Sequence, residues 1–79
     1  MSATPRSVIL FESVTAAFMA EKVLKAEGIA YKIIPVPRYL SSECGVCVRI
    51  DEADAARARA VLEGRVAVAD ILPLRHEGP

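Results

Sequence analysis

Two helix-forming segments, each followed by a glycine, constrain the fold of this 79-residue chain most strongly. The first covers residues 14–27, contains no Gly or Pro, and is rich in Ala, Glu, Lys and Leu, which lose little side-chain entropy in a helix. The second covers residues 52–63. Gly28 and Gly64 follow them at the position where a left-handed residue commonly ends a helix. The pattern therefore predicts two helices.

Short apolar, β-branched segments flank both predicted helices and indicate strands. Pro35 and Pro73 are expected to end the second and fourth of these strands, because proline has no N–H to donate to a sheet. Alternation in the third strand puts Cys47 and Arg49 on the face opposite its valines. The four predicted strands cover residues 7–11, 30–34, 45–50 and 66–72.

Polar residues before each helix are candidate caps, since their side chains can accept hydrogen bonds from the unpaired backbone N–H groups of the first turn. Ser13 or Thr15 would cap the first helix, and Asp51 would cap the second. The buried stripe of the first helix is predicted from spacings of three and four residues. Its members are Ala16, Ala20, Val23 and Leu24.

The order strand, helix, strand, strand, helix, strand predicts an α+β domain, a ferredoxin-like βαββαβ two-layer sandwich with a four-stranded antiparallel sheet. We expect one domain over residues 1–79, with an ordered core at about 7–72 and flexible termini. Both helices would cover one sheet face. The other face, carrying Cys47 and Arg49, would stay open as a homodimer surface or ligand floor.

Composition excludes several classes of partner. Ten basic and ten acidic residues cancel, so no basic stripe predicts nucleic-acid binding. No apolar run approaches the ~20 residues that span a bilayer, and the N-terminal residues do not resemble a secretory signal. We therefore expect a cytoplasmic protein whose cysteines are thiols. A hydrophobic content of 53% in so short a chain favours self-association, most simply a homodimer.

The candidate site is the stretch at residues 35–47, which contains both cysteines as Cys44-Gly45-Val46-Cys47. A redox CxxC normally begins a helix, whereas a strand follows here. Two extended cysteines at this spacing would lie roughly 10 Å apart at their Cα atoms. A disulfide requires less than about 7 Å. Only a turn at Gly45 would permit that bridge, so the two thiols are expected to differ in role.

Metal binding and stand-alone catalysis are not predicted. One CxxC supplies two of the four ligands of a structural zinc, and the single histidine, His76, lies in the tail. A zinc-bridged dimer is the alternative that these residues leave open. No phosphate loop, Ser/His/Asp set or HExxH motif is present. We expect a carrier or binding module that needs no cofactor, rather than an enzyme.

Polar residues before the first cysteine could support a reactive thiol. Arg38 could lower the pKa of Cys44 if the loop folds back, since a nearby cation favours the thiolate. Ser41, Ser42 and the backbone around Gly45 could hold an anion. Taken singly, each residue is better explained by ordinary loop chemistry. Their clustering around one loop cysteine makes this the candidate site.

Three sequence segments carry a family resemblance: AAFMAEKVLKAEGI in the first helix, IPVPR after the second strand, and SSECG before the third. Together they make the chain, from Ser7 to about Leu72, resemble the selenium/sulfur carrier protein-like family. The resemblance implies that Cys44 holds sulfur or selenium, received from a donor enzyme and passed to an acceptor protein. Arg38, Ser41, Ser42 and Gly45 match the family's loop, whereas Cys47 stands where a plain strand residue is usual. Cys47 could be a second thiol.

An alternative function uses the same residues without covalent chemistry. The loop and the uncovered sheet face could bind a small anion or a partner chain. In that non-catalytic binding or interaction module, Cys44 would be incidental.

Overall fold

A computed structural model describes residues 5–36 and 45–74 of the chain. Its four strands form one antiparallel sheet in the order β2-β3-β1-β4 with two helices, which confirms the predicted ferredoxin-like α+β architecture. A single 3₁₀ turn at Glu52–Asp54 precedes the second helix. In chain order the elements are β1 (Arg6–Phe11), α1 (Val14–Ala26), β2 (Tyr31–Pro35), β3 (Val46–Asp51), α2 (Ala55–Leu62) and β4 (Val68–Leu74).

Helix α1 begins and ends as its sequence predicts. The Ser13 hydroxyl accepts a hydrogen bond from the Ala16 N–H at 3.1 Å, so Ser13 is the cap. Gly28 adopts a φ of +73°, and the next N–H, of Ile29, donates to the Leu24 carbonyl at 3.0 Å. Neither helix of the described residues has the length and apolar character needed to cross a bilayer.

The main core lies between the helices and one face of the sheet. Val48 and Ile50 of β3 point into it, as the alternation predicts, and Ala58 and Leu62 of α2 pack from the other side. On α1 the buried stripe is rotated slightly from the predicted one, because Ala17, and not Ala16, is fully buried. The buried members of this cluster are Ile9, Phe11, Ala17, Ala20, Leu24, Ile29, Val48, Ile50, Ala58 and Leu62.

The second face of the sheet, opposite the helices, is not open at its centre, and this part of the prediction was wrong. Val8 and Cys47 have no exposed surface and Leu10 has 6%. These three side chains form a separate apolar cluster, and partly buried apolar side chains from flanking positions pack against it. Those neighbours are Ile34, Val36, Leu72 and Leu74. Homodimerisation through this face stays a prediction.

Both prolines are paired in the ladder, so the prediction that they stop strand pairing was also wrong. Pro35 is the last residue of β2, whereas Pro73 lies within β4, which continues to Leu74. Pro35 is paired with Val46, and Pro73 with Ser7. The Val36 N–H donates to the directly opposite Gly45 carbonyl, and the alternation of an antiparallel ladder then turns the Pro35 nitrogen away from β3. The same alternation turns the Pro73 nitrogen away from β1. Both strands are edges of the sheet, so neither proline removes a bond from the ladder.

Asp51 does not cap the second helix through its side chain, contrary to the sequence prediction. Its carboxylate lies opposite Arg6 across the β1–β3 pair, with 3.2 Å between Arg6 Nε and Asp51 Oδ1. The Nε is shielded from solvent and has no aligned hydrogen bond, so this contact is an ion pair only. The carboxylate is thus drawn toward the sheet and away from the helix end.

Two side-chain hydrogen bonds connect α1 to its neighbours. The Tyr31 hydroxyl of β2 donates to Glu21 Oε2 at 2.7 Å. Arg57 of α2 donates through Nη2 to the carbonyl of Glu27, at the end of α1, at 2.6 Å. A cation at a helix C-terminus also interacts favourably with the helix dipole. These two bonds attach the C-terminal half of α1 to β2 and α2.

Leu24→Ala tests the main core. Leu24 is fully buried, so we expect the substitution to lower the free energy of unfolding by about 2–5 kcal/mol. Met19→Ala on the same helix is the matched control, because Met19 is 49% exposed and should change it by less than ~0.5 kcal/mol. Urea titration followed by circular dichroism measures both. Equal losses in the two variants would contradict the packing described.

A pH titration tests the Tyr31–Glu21 contact. The hydrogen bond to Glu21, followed by burial and the Glu21 charge, raises the pKa of Tyr31 above the usual tyrosine value of about 10. The stability that this contact contributes is therefore complete below pH ~10 and is lost as pH rises through the raised pKa. Ultraviolet absorbance should show one late-titrating tyrosine, absent in Tyr31→Phe and retained in Tyr39→Phe. In Glu21→Gln its pKa should fall.

Candidate functional site

The candidate site is built on the β2–β3 hairpin. The two strands pair from Tyr31 opposite Ile50 to Pro35 opposite Val46. One further backbone bond, from the Val36 N–H to the Gly45 carbonyl at 3.2 Å, closes the ladder. Residues 37–44 connect these two positions along the chain. The structure therefore fixes both ends of the segment that the sequence analysis selected.

Four of the predicted site residues lie outside the described residues. They are Arg38, Ser41, Ser42 and Cys44, all within residues 37–44. The structure describes the remaining two, Gly45 and Cys47. Cys44 is bonded to Gly45, so its Cα is about 3.8 Å from the Gly45 Cα. The predicted nucleophile is thus one residue away from the hydrogen-bonded end of the hairpin.

Gly45 makes a sharp turn immediately after the predicted nucleophile. Its φ is +82°, a conformation that residues with a Cβ adopt at a cost. A Cβ added here would meet no atom within 4 Å, so backbone conformation alone, and not crowding, favours glycine. A turn at this position is the condition that the sequence analysis set for a Cys44–Cys47 bridge. Cys44 itself lies outside the described residues, so the bridge stays untested.

Cys47 differs from its neighbour in the motif, because it belongs to the second apolar cluster. It is paired with Ile34 on one side and with Leu10 on the other, and its side chain has no exposed surface. A sulfur atom in this position cannot reach a partner protein unless the cluster opens. The structure therefore gives Cys47 a packing role, and its role as a second thiol stays a prediction.

Other features lie at the same end of the molecule as the closed hairpin. Leu10 is opposite Cys47, so β1 ends and α1 begins beside the start of β3. The first turns of α1 carry apolar side chains that are 44–50% exposed: Val14, Phe18 and Met19. The first turns of α1 thus present apolar surface to solvent at this end of the sheet.

Metal ligands do not cluster within the described part of the chain. No three His, Cys, Asp or Glu side chains among residues 5–36 and 45–74 are placed to hold an ion. Cys44 and His76 are outside those ranges. The zinc-bridged dimer therefore stays an untested alternative.

A cavity at the opposite end of the hairpin was missed by the sequence analysis. It has a volume of about 280 Å³ and includes Arg6, Lys32 and Arg49 among its lining residues. One lining residue could be anticipated from the sequence, because the alternation of the third strand places Arg49 on the second face of the sheet. Lys32 opposite Arg49 could be recognised only from the register of β2 against β3.

Comparison with models of known protein families tests the family resemblance that the sequence carries. A sequence model of the family described as Putative Se/S carrier protein-like matches residues 6–73. The chain belongs to this family. The match covers every helix and strand of the described fold except the last residue of β4. A search of curated proteins and a search of solved structures found no match.

Variants of Gly45 test the turn at the site of this carrier-like protein. Gly45→Val should lower the free energy of unfolding by about 1–2 kcal/mol, because a β-branched residue is strained at positive φ. Gly45→Asn should cost less, since asparagine tolerates the left-handed region. Thermal unfolding of both variants measures the difference. Equal stability of the valine and asparagine variants would exclude a positive φ at this position.

Proposed function

We propose that this protein carries sulfur or selenium on Cys44 and transfers it from a donor enzyme to an acceptor protein. Family membership supports a carrier role, and the closed hairpin supports the choice of residue. The observation that carries the proposal is the hydrogen-bonded pair Val36–Gly45 with a left-handed turn directly after Cys44. A loop anchored in this way holds its thiol at one end of the sheet.

The chemistry requires a thiolate and no cofactor. The Cys44 thiolate attacks the terminal sulfur of a persulfide on the donor enzyme. The donor's S–S bond breaks, the donor cysteine leaves as a thiolate, and a persulfide forms on Cys44. Atoms and electrons balance, because one S–S bond is exchanged for another. Selenium transfer follows the same steps through a perselenide.

The loop residues supply the electrostatics of this step in our proposal. Arg38 stabilises the Cys44 thiolate and the charged cargo, since a cation lowers a thiol pKa. Ser41, Ser42 and the Gly45 N–H contribute hydrogen bonds to the same anion. The cytoplasm is the compartment in which an uncoordinated carrier thiol stays reduced.

Release of the cargo needs no second thiol of this chain. Cys47 is fully buried, so the attacking nucleophile in our proposal belongs to the acceptor. That nucleophile attacks the terminal sulfur, and Cys44 leaves as the thiolate that began the cycle. This route restores the carrier without a reductant. The exposed apolar side chains of Val14, Phe18 and Met19 on the first turns of α1 support exchange with a protein partner.

Loading by a cysteine desulfurase with free cysteine tests the proposal. Intact-mass measurement should show one added sulfur on the wild-type protein and on Cys47→Ser, and none on Cys44→Ser. The Cys47 variant is the matched control, because it removes the same atom from the other position of the motif. Reduction with dithiothreitol should return the original mass.

Two outcomes would contradict the proposal. Equal loading of Cys44→Ser and wild type would place the cargo elsewhere. No loading of the wild-type protein by a desulfurase that loads a known carrier in parallel would exclude sulfur transfer by this route. In that case a non-covalent binding or interaction module would be the better description.

A further inference from the structure

The exposed large apolar side chains of this protein are concentrated on one helix. Val14, Phe18 and Met19 lie in the first two turns of α1, and each is about half exposed. No other Val, Leu, Ile, Met, Phe or Tyr among residues 5–36 and 45–74 is exposed to this degree. Clustered apolar exposure marks an interaction surface, whereas single exposed apolar residues do not. We call these three residues the α1 patch.

Charged residues of opposite sign stand at the two ends of the α1 patch. Glu12 precedes the patch, while Lys22 and Lys25 follow it on α1, and all three are exposed. Glu21, the remaining charged residue of α1, is directed to β2, where it accepts a hydrogen bond from the Tyr31 hydroxyl. Within the described part of the chain, no ion pair or side-chain hydrogen bond involves Glu12, Lys22 or Lys25. These charges are therefore available to another molecule.

Helix geometry aligns the apolar and basic parts of this surface. At about 100° per residue, Phe18, Lys22 and Lys25 lie within roughly 60° of the helix circumference. Glu12 and Lys25 are equally far along the chain from the midpoint between Phe18 and Met19. At ~1.5 Å per residue that separation is roughly 10 Å on each side. A two-fold axis through the midpoint, perpendicular to α1, would therefore set Glu12 of each copy opposite Lys25 of the other.

We propose that the α1 patch binds a second copy of this chain, with the two α1 helices packed antiparallel about a two-fold axis. A two-fold interface uses the same surface on both molecules, so that surface must be complementary to itself. The α1 patch meets this condition, because its centre is apolar and its two ends carry opposite charges. A parallel arrangement would place like charges opposite each other, which costs free energy.

The second face of the sheet offers less apolar surface to a partner copy. Val8 and Cys47 at its centre are fully buried within one chain, and Leu10 is nearly so. Side chains that are already removed from water gain little from further burial, because the hydrophobic effect scales with the area newly buried. The α1 patch, by contrast, is exposed in the single chain.

The proposed interface is small. One pair of 13-residue helices falls below the ~1,200 Å² at which standard interfaces begin, so we expect a dimer that dissociates on dilution. The monomer that is released presents the same side chains to a donor or acceptor protein. Cys44 is not part of the α1 patch, so dimerisation does not depend on the proposed carrier function.

Sedimentation equilibrium with dithiothreitol present, between about 10 µM and 1 mM protein, tests the proposal. Wild type and Cys44→Ser should both shift from monomer to dimer across this range, which excludes a disulfide as the link. Phe18→Ser should weaken dimerisation about tenfold or more, because it removes the central apolar side chain from both halves of the interface. Met19→Ser is a second variant of the same patch. Circular dichroism establishes that each variant is folded.

Charge reversal tests the antiparallel orientation. Lys25→Glu should weaken dimerisation about fivefold, because repulsion replaces attraction at two equivalent positions of the interface. Adding Glu12→Lys to the same chain should restore the dimer. Lys32→Glu is the matched control, because Lys32 is exposed on β2 and its reversal changes the net charge equally.

Four outcomes would overturn the proposal. A wild-type monomer at every concentration would exclude the dimer, and unchanged dimerisation of Phe18→Ser would exclude this surface. Failure of the double variant Glu12→Lys/Lys25→Glu to recover would exclude the antiparallel pairing. Equal weakening by Lys32→Glu and Lys25→Glu would direct attention to the second sheet face instead.

Discussion

Burial of β1 on both faces is the constraint on which the rest of this structure depends. All residues from Ser7 to Phe11 are buried, although the strand lies in a single sheet. Ile9 and Phe11 pack against the helices, while Val8 and Leu10 pack in the second cluster with Cys47. A strand that is apolar on both faces is stable only where both faces are covered. The pairing of β1 with β3 then places Arg6 opposite Asp51 and Leu10 opposite Cys47.

Local signals were sufficient to predict the order of the elements. The helix-forming segment after Ser13, the glycine at position 28 and the apolar run at β1 each depend on a few neighbouring residues, and each was predicted correctly. The alternation of β3 also identified the inward positions Val48 and Ile50. Two helices separated by paired strands have few alternative arrangements, which is why the fold class followed from this pattern.

Several features that the sequence did not predict depend on which strands are neighbours. Pro35 and Pro73 are compatible with strands only because β2 and β4 are edges. Asp51 approaches Arg6 because β1 pairs with β3, and a sequence pattern alone favoured capping instead. At the candidate site, residue type and family resemblance selected Cys44. The structure adds a closed hairpin and a turn beside it, and it separates Cys47 by burial.

The outward-facing prolines have a consequence for how this small protein meets other chains. An exposed strand edge offers N–H and C=O groups that can template pairing with another chain and lead to aggregation. At Pro35 on one edge and Pro73 on the other, an outward donor is missing. A continuous intermolecular ladder is thereby interrupted on both sides of the sheet. Association with another chain by strand pairing is therefore disfavoured at both of these positions.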